Sequence, residues 1–392
     1  MRLAKSGVFL TVALVAGAVV LALYGSIKVE SRLALVGRLG LNWPSVGQGR
    51  HDTVPAAAPS ASTRQPARQW GAAAYAVYGA NENPTYTFPL PITVLSWRRL
   101  GVESVVLLVT DGDEQRPAHY WSERSAVGRV VVDALRQVNA SVVFLRRGRK
   151  YNDSASVSQM ARLVAASLTH LSNMPNRTTL VTADSDVWSF QRSEHVAEDA
   201  LVTLFNARCC GRLRSRDGRR TYPHIPMNTV AMPKWAWHQM LKLGPGAISS
   251  GDDIHDYVVG GGFATASSLA RKAVPGNEKW YLDQRVLSDR LDRWLRSAAV
   301  PPERVRTVAH KTGRIDRASW PSVNAGFWKK ATLRGRSDAH LPHPAHKSWP
   351  SVRLLVKLML GEEQMAWADD YKRRFVDALS KERRRLKSEN RE

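Results

Sequence analysis

The chain has 392 residues, 44% of them hydrophobic, so it can bury one large core or two medium ones, which excludes a disordered protein. Its formal net charge of +23 at pH 7 indicates attraction to polyanions or anionic surfaces. We do not expect nucleic acid as the partner, because no zinc-knuckle, RNP or basic-zipper pattern accompanies the charge. The only cysteines, Cys209 and Cys210, are adjacent. Adjacent cysteines rarely bridge without strain, so we expect neither a disulfide nor a cysteine zinc site.

An uncharged run, residues 8–27, follows Arg2 and Lys5 near the N-terminus. Its length is that of a membrane-spanning helix, whereas the apolar region of a cleaved signal peptide is normally shorter. We therefore expect residues 1–7 to be a cytosolic tail and the rest of the chain to be luminal, as in a single-pass type II signal-anchor protein. Three N-x-S/T triplets, which begin at Asn139, Asn152 and Asn176, agree with a luminal glycoprotein.

Residues 28–69 predict a flexible stem, because much of this stretch is rich in Ala, Pro, Ser and Gln and lacks periodicity. From Trp70 onwards, strand patterns at residues 73–78, 104–110, 141–145 and 178–182 alternate with helical patterns at 86–100, 129–138 and 156–171. This alternation predicts an α/β fold with a mostly parallel sheet flanked by helices. We take residues 70–350 as the catalytic domain and residues 351–392, which are basic and helical in pattern, as a solvated tail.

Two carboxylates, Asp184 and Asp186, follow the buried strand pattern at residues 178–182. They would emerge at the carboxyl edge of the sheet, where open α/β sheets bind ligands. Because alternate side chains of an extended segment point the same way, the two acids converge, and Mg²⁺ or Mn²⁺ is the usual counter-charge for such a pair. Ordinary turn chemistry, in which Asp and Ser cap turns, is the other explanation.

Two later stretches also carry chemistry. Asp283 lies at the start of a helical pattern, where an acid either favours the helix dipole or faces a ligand groove. The loop at residues 339–349 holds His340, His343, His346 and Lys347, so an imidazole is available as a metal ligand and a lysine as a phosphate contact. A solvated His-rich loop is the alternative explanation.

Together these features resemble the GT-A type nucleotide-diphospho-sugar glycosyltransferases, and most nearly the glycogenin-like retaining enzymes, over roughly residues 70–349. In that family an arginine-bearing helix precedes the strand that ends in D-x-D, as Arg162 does here. The family's D-Q-x-x-L matches the run from Asp283 to Leu287. Its terminal H-x-x-G-x-x-K-P-W is approximated by residues 340–349, with one extra residue, histidine for glycine and serine for proline.

The resemblance implies a GT-A (Rossmann-like) fold and a metal-dependent enzyme of the Golgi or endoplasmic reticulum membrane. It would move a sugar from a nucleotide-diphosphate donor, expected to be a UDP-sugar, to a glycan or glycoprotein acceptor. The implied ligands of Mn²⁺ or Mg²⁺ are Asp184, Asp186 and His340, with His343 and His346 left open as alternatives to His340. The other implied contacts with the donor come from Ala80, Asn81, Arg162, Asp184, Ser185 and Lys347. Asp283, Gln284 and Arg162 would be the catalytic residues, facing the reacting sugar and the incoming hydroxyl.

Two other functions compete with this hypothesis. Haloacid-dehalogenase-like phosphatases also carry D-x-D after a buried strand, with the first aspartate as a nucleophile, although usually near the start of the domain. A membrane-anchored glycan-binding protein that keeps the fold without turnover is the non-enzymatic alternative.

Overall fold

A computed structural model describes residues 70–389 except 72, 114, 216–217, 275, 298–299, 310–312 and 324–325. The predicted cytosolic tail, membrane anchor and stem lie outside these residues. Within the described part of the chain, no helix is both long enough and apolar enough to cross a membrane.

Strands and helices alternate along the first half of the described chain. The strands are β1 (Ala74–Ala80), β2 (Glu103–Leu108), β3 (Ser141–Phe144), β4 (Thr179–Ala183), β5 (Val187–Ser189), β6 (Val202–Phe205), β7 (Arg212–Arg214), β8 (Thr221–Pro223), β9 (Thr229–Pro233), β10 (Val305–Val308), β11 (Arg314–Ile315) and β12 (Asp338–His340). The α-helices are α1 (Pro84–Thr87), α2 (Leu90–Arg98), α3 (Pro117–His119), α4 (Ala126–Gln137), α5 (Ser154–Leu163), α6 (Arg192–His195), α7 (Lys234–Leu241), α8 (Gly251–Gly260), α9 (Ala266–Leu269), α10 (Leu282–Ser297), α11 (Lys330–Arg334), α12 (Trp349–Leu360) and α13 (Glu362–Glu389).

The central sheet has seven strands in the order β10-β6-β9-β4-β1-β2-β3. The four strands β4, β1, β2 and β3 are parallel to one another, and β10 is parallel to β6. Only β9 runs against its neighbours β4 and β6 in this sheet. The predicted mixed, mostly parallel sheet flanked by helices is confirmed. A smaller sheet has the strand order β11-β12-β5. Its strand β5 begins at Val187, directly after Asp186 of the D-x-D segment.

Strand β1 divides the apolar interior into two cores. Its alternate residues Ala76 and Tyr78 face one core, which contains residues of α2, α4, α12 and α13. Tyr75 and Val77 face the other, which contains residues of α5, α7, α8 and α10. This alternation follows from the two-residue period of a strand, and burial on both faces explains the continuous apolar runs in the sequence.

The C-terminal segment is not the solvated tail that its charge suggests. Tyr371 and Phe375 of α13 are fully buried, and their rings lie 5.5 and 5.0 Å from the ring of Phe88. The Tyr371 hydroxyl also donates a hydrogen bond to the Phe88 carbonyl at 3.0 Å. The charged residues occupy the other faces of α13, so its net charge concealed an apolar stripe that completes one core.

The expectation that Cys209 and Cys210 stay unbridged is wrong, because the structure joins them in a disulfide bond. They lie in an exposed turn after β6, where Asn206 adopts a positive φ of 60° and its carbonyl accepts a hydrogen bond from the Cys209 N–H. The turn brings the two sulfurs together, which spacing in the sequence does not reveal. A short antiparallel hairpin, formed by β7 and β8, follows the disulfide.

Packing of α13 against the core has a measurable consequence. Phe375→Ala should lower the free energy of unfolding by about 3–5 kcal/mol, because it leaves a cavity beside Phe88 and Tyr371. Leu386→Ala on the same helix, where Leu386 is 46% exposed, should change it by less than about 0.5 kcal/mol. Urea unfolding monitored by circular dichroism provides the measurement. Equal, small effects of the two substitutions would show that α13 does not contribute to the core.

Candidate functional site

The site lies at the carboxyl ends of β1 and β4, where the strand order of the sheet changes direction. β1 has β2 on one side and β4 on the other, both parallel to it. The connections from these strands leave in opposite directions, and the crevice that results is the usual ligand position in open α/β sheets. Asp184 directly follows β4, so the sheet places the D-x-D segment at this crevice.

Hydrogen bonds from Thr93 and Leu341 hold the backbone of the D-x-D turn. Thr93 of α2 donates its hydroxyl to the Ser185 carbonyl at 2.6 Å and accepts a hydrogen bond from the Trp188 indole N–H at 2.8 Å. The Leu341 N–H, just after β12, donates to the Asp186 carbonyl at 2.9 Å. Because Thr93 and Trp188 are both buried, these bonds fix the direction in which the two carboxylates point.

Arg162 joins the two motifs of the resemblance. Its guanidinium donates Nη1 to Asp184 Oδ1 and donates Nη2 to Asp283 Oδ2 at 2.8 Å, across 121 residues of sequence. Arg162 lies near the end of α5, and Asp283 lies in the first turn of α10. The Asp283 side chain is only 1% exposed, so it requires the partner that Arg162 supplies. Burial raises the pKa of Asp283, and the Arg162 charge opposes that rise.

The second acid, Asp186, has a different set of partners. Its Oδ2 accepts hydrogen bonds from Arg317 Nη2 at 2.8 Å and from His343 Nε2, and lies 3.5 Å from His340 Nε2. Burial alone would raise the pKa of Asp186, but the His343 hydrogen bond and the charges of His340 and Arg317 outweigh it and hold the pKa well below its usual range. Burial lowers the pKa of His340, and the negative charge of Asp186 opposes that lowering.

The donor types around Asp186 fit a divalent cation, but their arrangement does not. Carboxylate and imidazole groups are suitable ligands for Mn²⁺. Nevertheless, no three His, Cys, Asp or Glu side chains of the described residues are arranged to hold a metal ion. The Arg317 guanidinium contacts Asp186, His340 and His343, the side chains that would have to surround the ion.

The remaining predicted site residues are Ala80, Asn81, His346, Lys347 and Gln284. Asn81 and Ala80 do lie at the same edge of the sheet: Asn81 donates to the Ser154 hydroxyl at 3.1 Å, whereas the Ala80 methyl is buried in a core and its carbonyl accepts from Val109. His346 packs against Phe88 and Phe375, away from Asp186. Neither Lys347, which is exposed, nor the Gln284 amide is joined to the cluster by a hydrogen bond or ion pair in the described chain.

Sequence reasoning missed Arg317 and Thr93. Arg317 follows β11 in a short 3₁₀ turn, Arg317–Ser319, and no motif marks it. It reaches Asp186 because β11 pairs with β12, and β12 pairs with the strand that follows the D-x-D turn. Only pairing of these short strands, which sequence patterns did not predict, brings the arginine into place.

A cavity of about 430 Å³ adjoins the start of α10. Its lining includes four aromatic residues, two arginines and two acids: Tyr222, His224, Phe263, Tyr281, Arg214, Arg285, Glu278 and Asp289. His224 Nε2 is buried there and has no hydrogen-bond partner among the residues that the structure describes. Burial lowers the pKa of His224, and a hydrogen bond to the Cys210 backbone and the charge of Asp283 oppose that lowering.

Solved glycosyltransferase structures resemble this chain at low identity. The galactosyltransferase LgtC, in complex with donor and acceptor sugar analogs, matches at 13% identity over 73% of this chain and 95% of its own, with a TM-score of 0.35. The bifunctional glycosyltransferase WbbM matches at 12% identity over 69% and 46%, with a TM-score of 0.33. A glycosyltransferase involved in glycosylation of the major capsid of PBCV-1 matches at 11% identity over 64% and 98%, with a TM-score of 0.28. TM-scores this low carry no argument about activity.

Neither a protein-family model nor a curated protein sequence matches the chain.

The Arg162 bridge predicts a specific pattern of stability. Arg162→Met should lower the free energy of unfolding by about 3–5 kcal/mol, because it leaves Asp283 buried and unpaired. Adding Asp283→Asn should restore part of the loss, since it removes the unpaired charge. Arg296→Met, which breaks a partly exposed pair with Asp292, is the matched control and should cost at most about 1 kcal/mol. Urea denaturation that finds no recovery in the double variant would contradict the bridge.

Proposed function

We propose that the chain is a glycosyltransferase that moves a sugar from a nucleotide-diphosphate donor to a glycan or glycoprotein acceptor. One observation carries the proposal: Arg162, the D-x-D acid Asp184 and the D-Q acid Asp283 meet in one hydrogen-bonded cluster at the crevice of the sheet. These are the residues on which the sequence resemblance depends, and they come from separate parts of the chain. Ordinary turn or helix-cap chemistry does not require them to meet.

The residues of this chain suit the electrostatics of the reaction. Departure of a nucleoside diphosphate builds negative charge on phosphate oxygens, and cationic groups held in place beforehand stabilise that charge. Arg162 is held at both ends of its guanidinium and Arg317 lies on the other acid, so both are positioned at the crevice before a donor arrives. Asp184, Asp186 and His340 are the residues that would hold Mn²⁺ or Mg²⁺ once Arg317 leaves Asp186, and the cation would then supply further charge neutralisation.

The buried acid Asp283 has a positioning role in this proposal. Its side chain is fixed by Arg162 and by the Gln284 N–H, which donates to Asp283 Oδ1 at 2.8 Å. One face of α10 therefore carries an anchored carboxylate at the crevice, with Gln284 beside it for the reacting sugar or the incoming hydroxyl. Because fold does not determine function, the retaining stereochemistry and the secretory location are also proposals from the resemblance.

We further propose that the cavity beside α10 receives the acceptor, and that the acceptor is an anionic saccharide. Tyr222 and Tyr281 present aromatic surface for the apolar face of a sugar ring. Arg214 and Arg285 line the same cavity, and a guanidinium pairs with a carboxylate or phosphate through two parallel hydrogen bonds. Arg285 lies 3.4 Å from the exposed carboxylate of Glu278, which an anionic acceptor would have to replace. The net charge of +23 favours an anionic acceptor at long range.

A donor screen tests the enzymatic proposal. The purified full-length chain, kept in mild detergent with Mn²⁺, should hydrolyse at least one nucleotide-sugar from a panel, with UDP-sugars tested first. Asp186→Asn should reduce that rate by about 100-fold or more, because it removes the anionic partner of the cations at the crevice. Asp256→Asn is the control: it removes a 60%-exposed carboxylate that pairs with Lys150 and should leave the rate unchanged.

Three results would contradict the proposal. Hydrolysis of none of the nucleotide-sugars would favour a glycan-binding protein without turnover. Full activity of the Asp186 variant would show that the chemistry takes place elsewhere. Capture of a phosphorylated Asp184 would instead identify the phosphatase alternative.

The acceptor proposal has its own test. Arg285→Gln should lower the ratio of kcat/KM for a carboxylated acceptor to kcat/KM for its neutral counterpart by about 10- to 100-fold, the effect of losing one charge-assisted contact. Arg296→Gln, elsewhere on α10, should leave this ratio unchanged. An unchanged ratio in the Arg285 variant would exclude this cavity as the site that recognises the acidic group.

A further inference from the structure

Arg317 occupies the position that a divalent cation would need. Its Nη2 donates to Asp186 Oδ2 at 2.8 Å, its Nε donates to His340 Nδ1 at 3.3 Å, and its Nη1 lies 2.6 Å from His343 Nδ1. A single guanidinium thus contacts the predicted ligands Asp186 and His340 and the alternative ligand His343. No residue of the family resemblance corresponds to it.

The small sheet β11-β12-β5 fixes the backbone position of Arg317. Ile315 of β11 pairs with Ala339 of β12, and His340 pairs with Val187, the residue after Asp186. The Asp316 carboxylate accepts a hydrogen bond from the Ala318 N–H at 2.9 Å and so caps the turn that starts at Arg317. The backbone positions of the arginine, the imidazole and the acid are therefore fixed relative to one another.

Arg317 presents only hydrogen-bond donors to the side chains around it. Its Nη1 lies 2.6 Å from Nδ1 and 3.1 Å from Nε2 of His343, and its Nε donates to His340 Nδ1. An arginine has no atom that can bind a metal ion. Asp186 Oδ2 already accepts a hydrogen bond from this guanidinium, so a divalent cation would have to displace it.

We propose that Arg317 competes with the divalent cation for Asp186, and that it transfers from Asp186 to the diphosphate of the donor when the cation binds. The transfer rests on the proposed function, whereas the competition does not. The Arg317 side chain is 32% exposed, compared with 4% for Asp186, so the guanidinium is the partner with room to leave. Once displaced, it needs an anion, and phosphate oxygens bound beside the cation offer the bidentate geometry that guanidinium prefers.

The competition predicts that the wild-type chain binds Mn²⁺ weakly when no nucleotide is present. Removing the guanidinium in Arg317→Gln should tighten Mn²⁺ binding by at least 10-fold, because Asp186 and both imidazoles become available. Electron paramagnetic resonance of free Mn²⁺, titrated into the full-length chain, measures this affinity without any turnover. Arg306→Gln, which removes a partly exposed arginine paired with Glu194, is the matched control and should bind Mn²⁺ as the wild type does.

Equal or weaker Mn²⁺ binding by a folded Arg317→Gln variant would overturn the competition. Circular dichroism checks that the variant is folded. Arg317→Lys is a second variant, which keeps the positive charge but loses the planar guanidinium, and it should bind Mn²⁺ with an intermediate affinity. Adding Asp186→Asn to Arg317→Gln should abolish the gain. A gain that survives this change would place the Mn²⁺ elsewhere and would also overturn the proposal.

The transfer to diphosphate is tested by repeating the titration with UDP. In the wild type, UDP should tighten Mn²⁺ binding by at least 10-fold, and Mn²⁺ should tighten UDP binding equally, because coupling between two ligands is reciprocal. In Arg317→Gln this coupling should shrink, since the cation no longer has to displace an arginine. Coupling that stays the same would overturn the transfer.

Different results would overturn the competition of Arg317 with the cation and the proposed transferase activity. Tighter Mn²⁺ binding by Arg317→Gln without any UDP binding supports the competition but overturns both the transfer and the proposed transferase. Donor hydrolysis that resists EDTA and disappears in Arg317→Gln supports a transferase but overturns the competition, since the arginine would then be a permanent substitute for the metal.

Discussion

The buried contact of Arg162 with Asp184 and Asp283 is the interaction on which the rest of the site depends. It links the end of α5, the D-x-D turn and the start of α10, so three elements share one charge cluster. A buried carboxylate such as Asp283 is tolerated only while a cation remains beside it. Folding of the chain therefore brings together Arg162, Asp184 and Asp283, the residues on which the proposed function rests.

A second cation, Arg317, gives the site an asymmetry. Asp184 is tied to an arginine inside the protein, whereas Asp186 is tied to one that reaches the surface and shares two imidazoles. The two acids of the motif are thus not equivalent, although the sequence presents them as a pair. One acid is part of a structural bridge, and the other is the point at which an external cation would have to enter.

The parts of the fold that could be predicted from sequence are those with a strong local pattern. β-branched runs marked the buried strands, their alternation with helices indicated the parallel sheet, and the position of Asp184 after such a run placed it at the carboxyl edge. The features that escaped prediction depend on pairing between distant or short segments. Arg317 reaches the site through two-residue and three-residue strands, and the apolar stripe of α13 was hidden among its charges.

Anomalous diffraction at the manganese edge, from crystals of the full-length chain grown with Mn²⁺ and UDP, tests the central claim most directly. The account predicts an anomalous peak bonded to the Asp186 carboxylate, with the diphosphate beside it and the Arg317 guanidinium moved onto phosphate oxygens. A peak remote from Asp186, or a diphosphate bound while Arg317 still donates to that carboxylate, would contradict it.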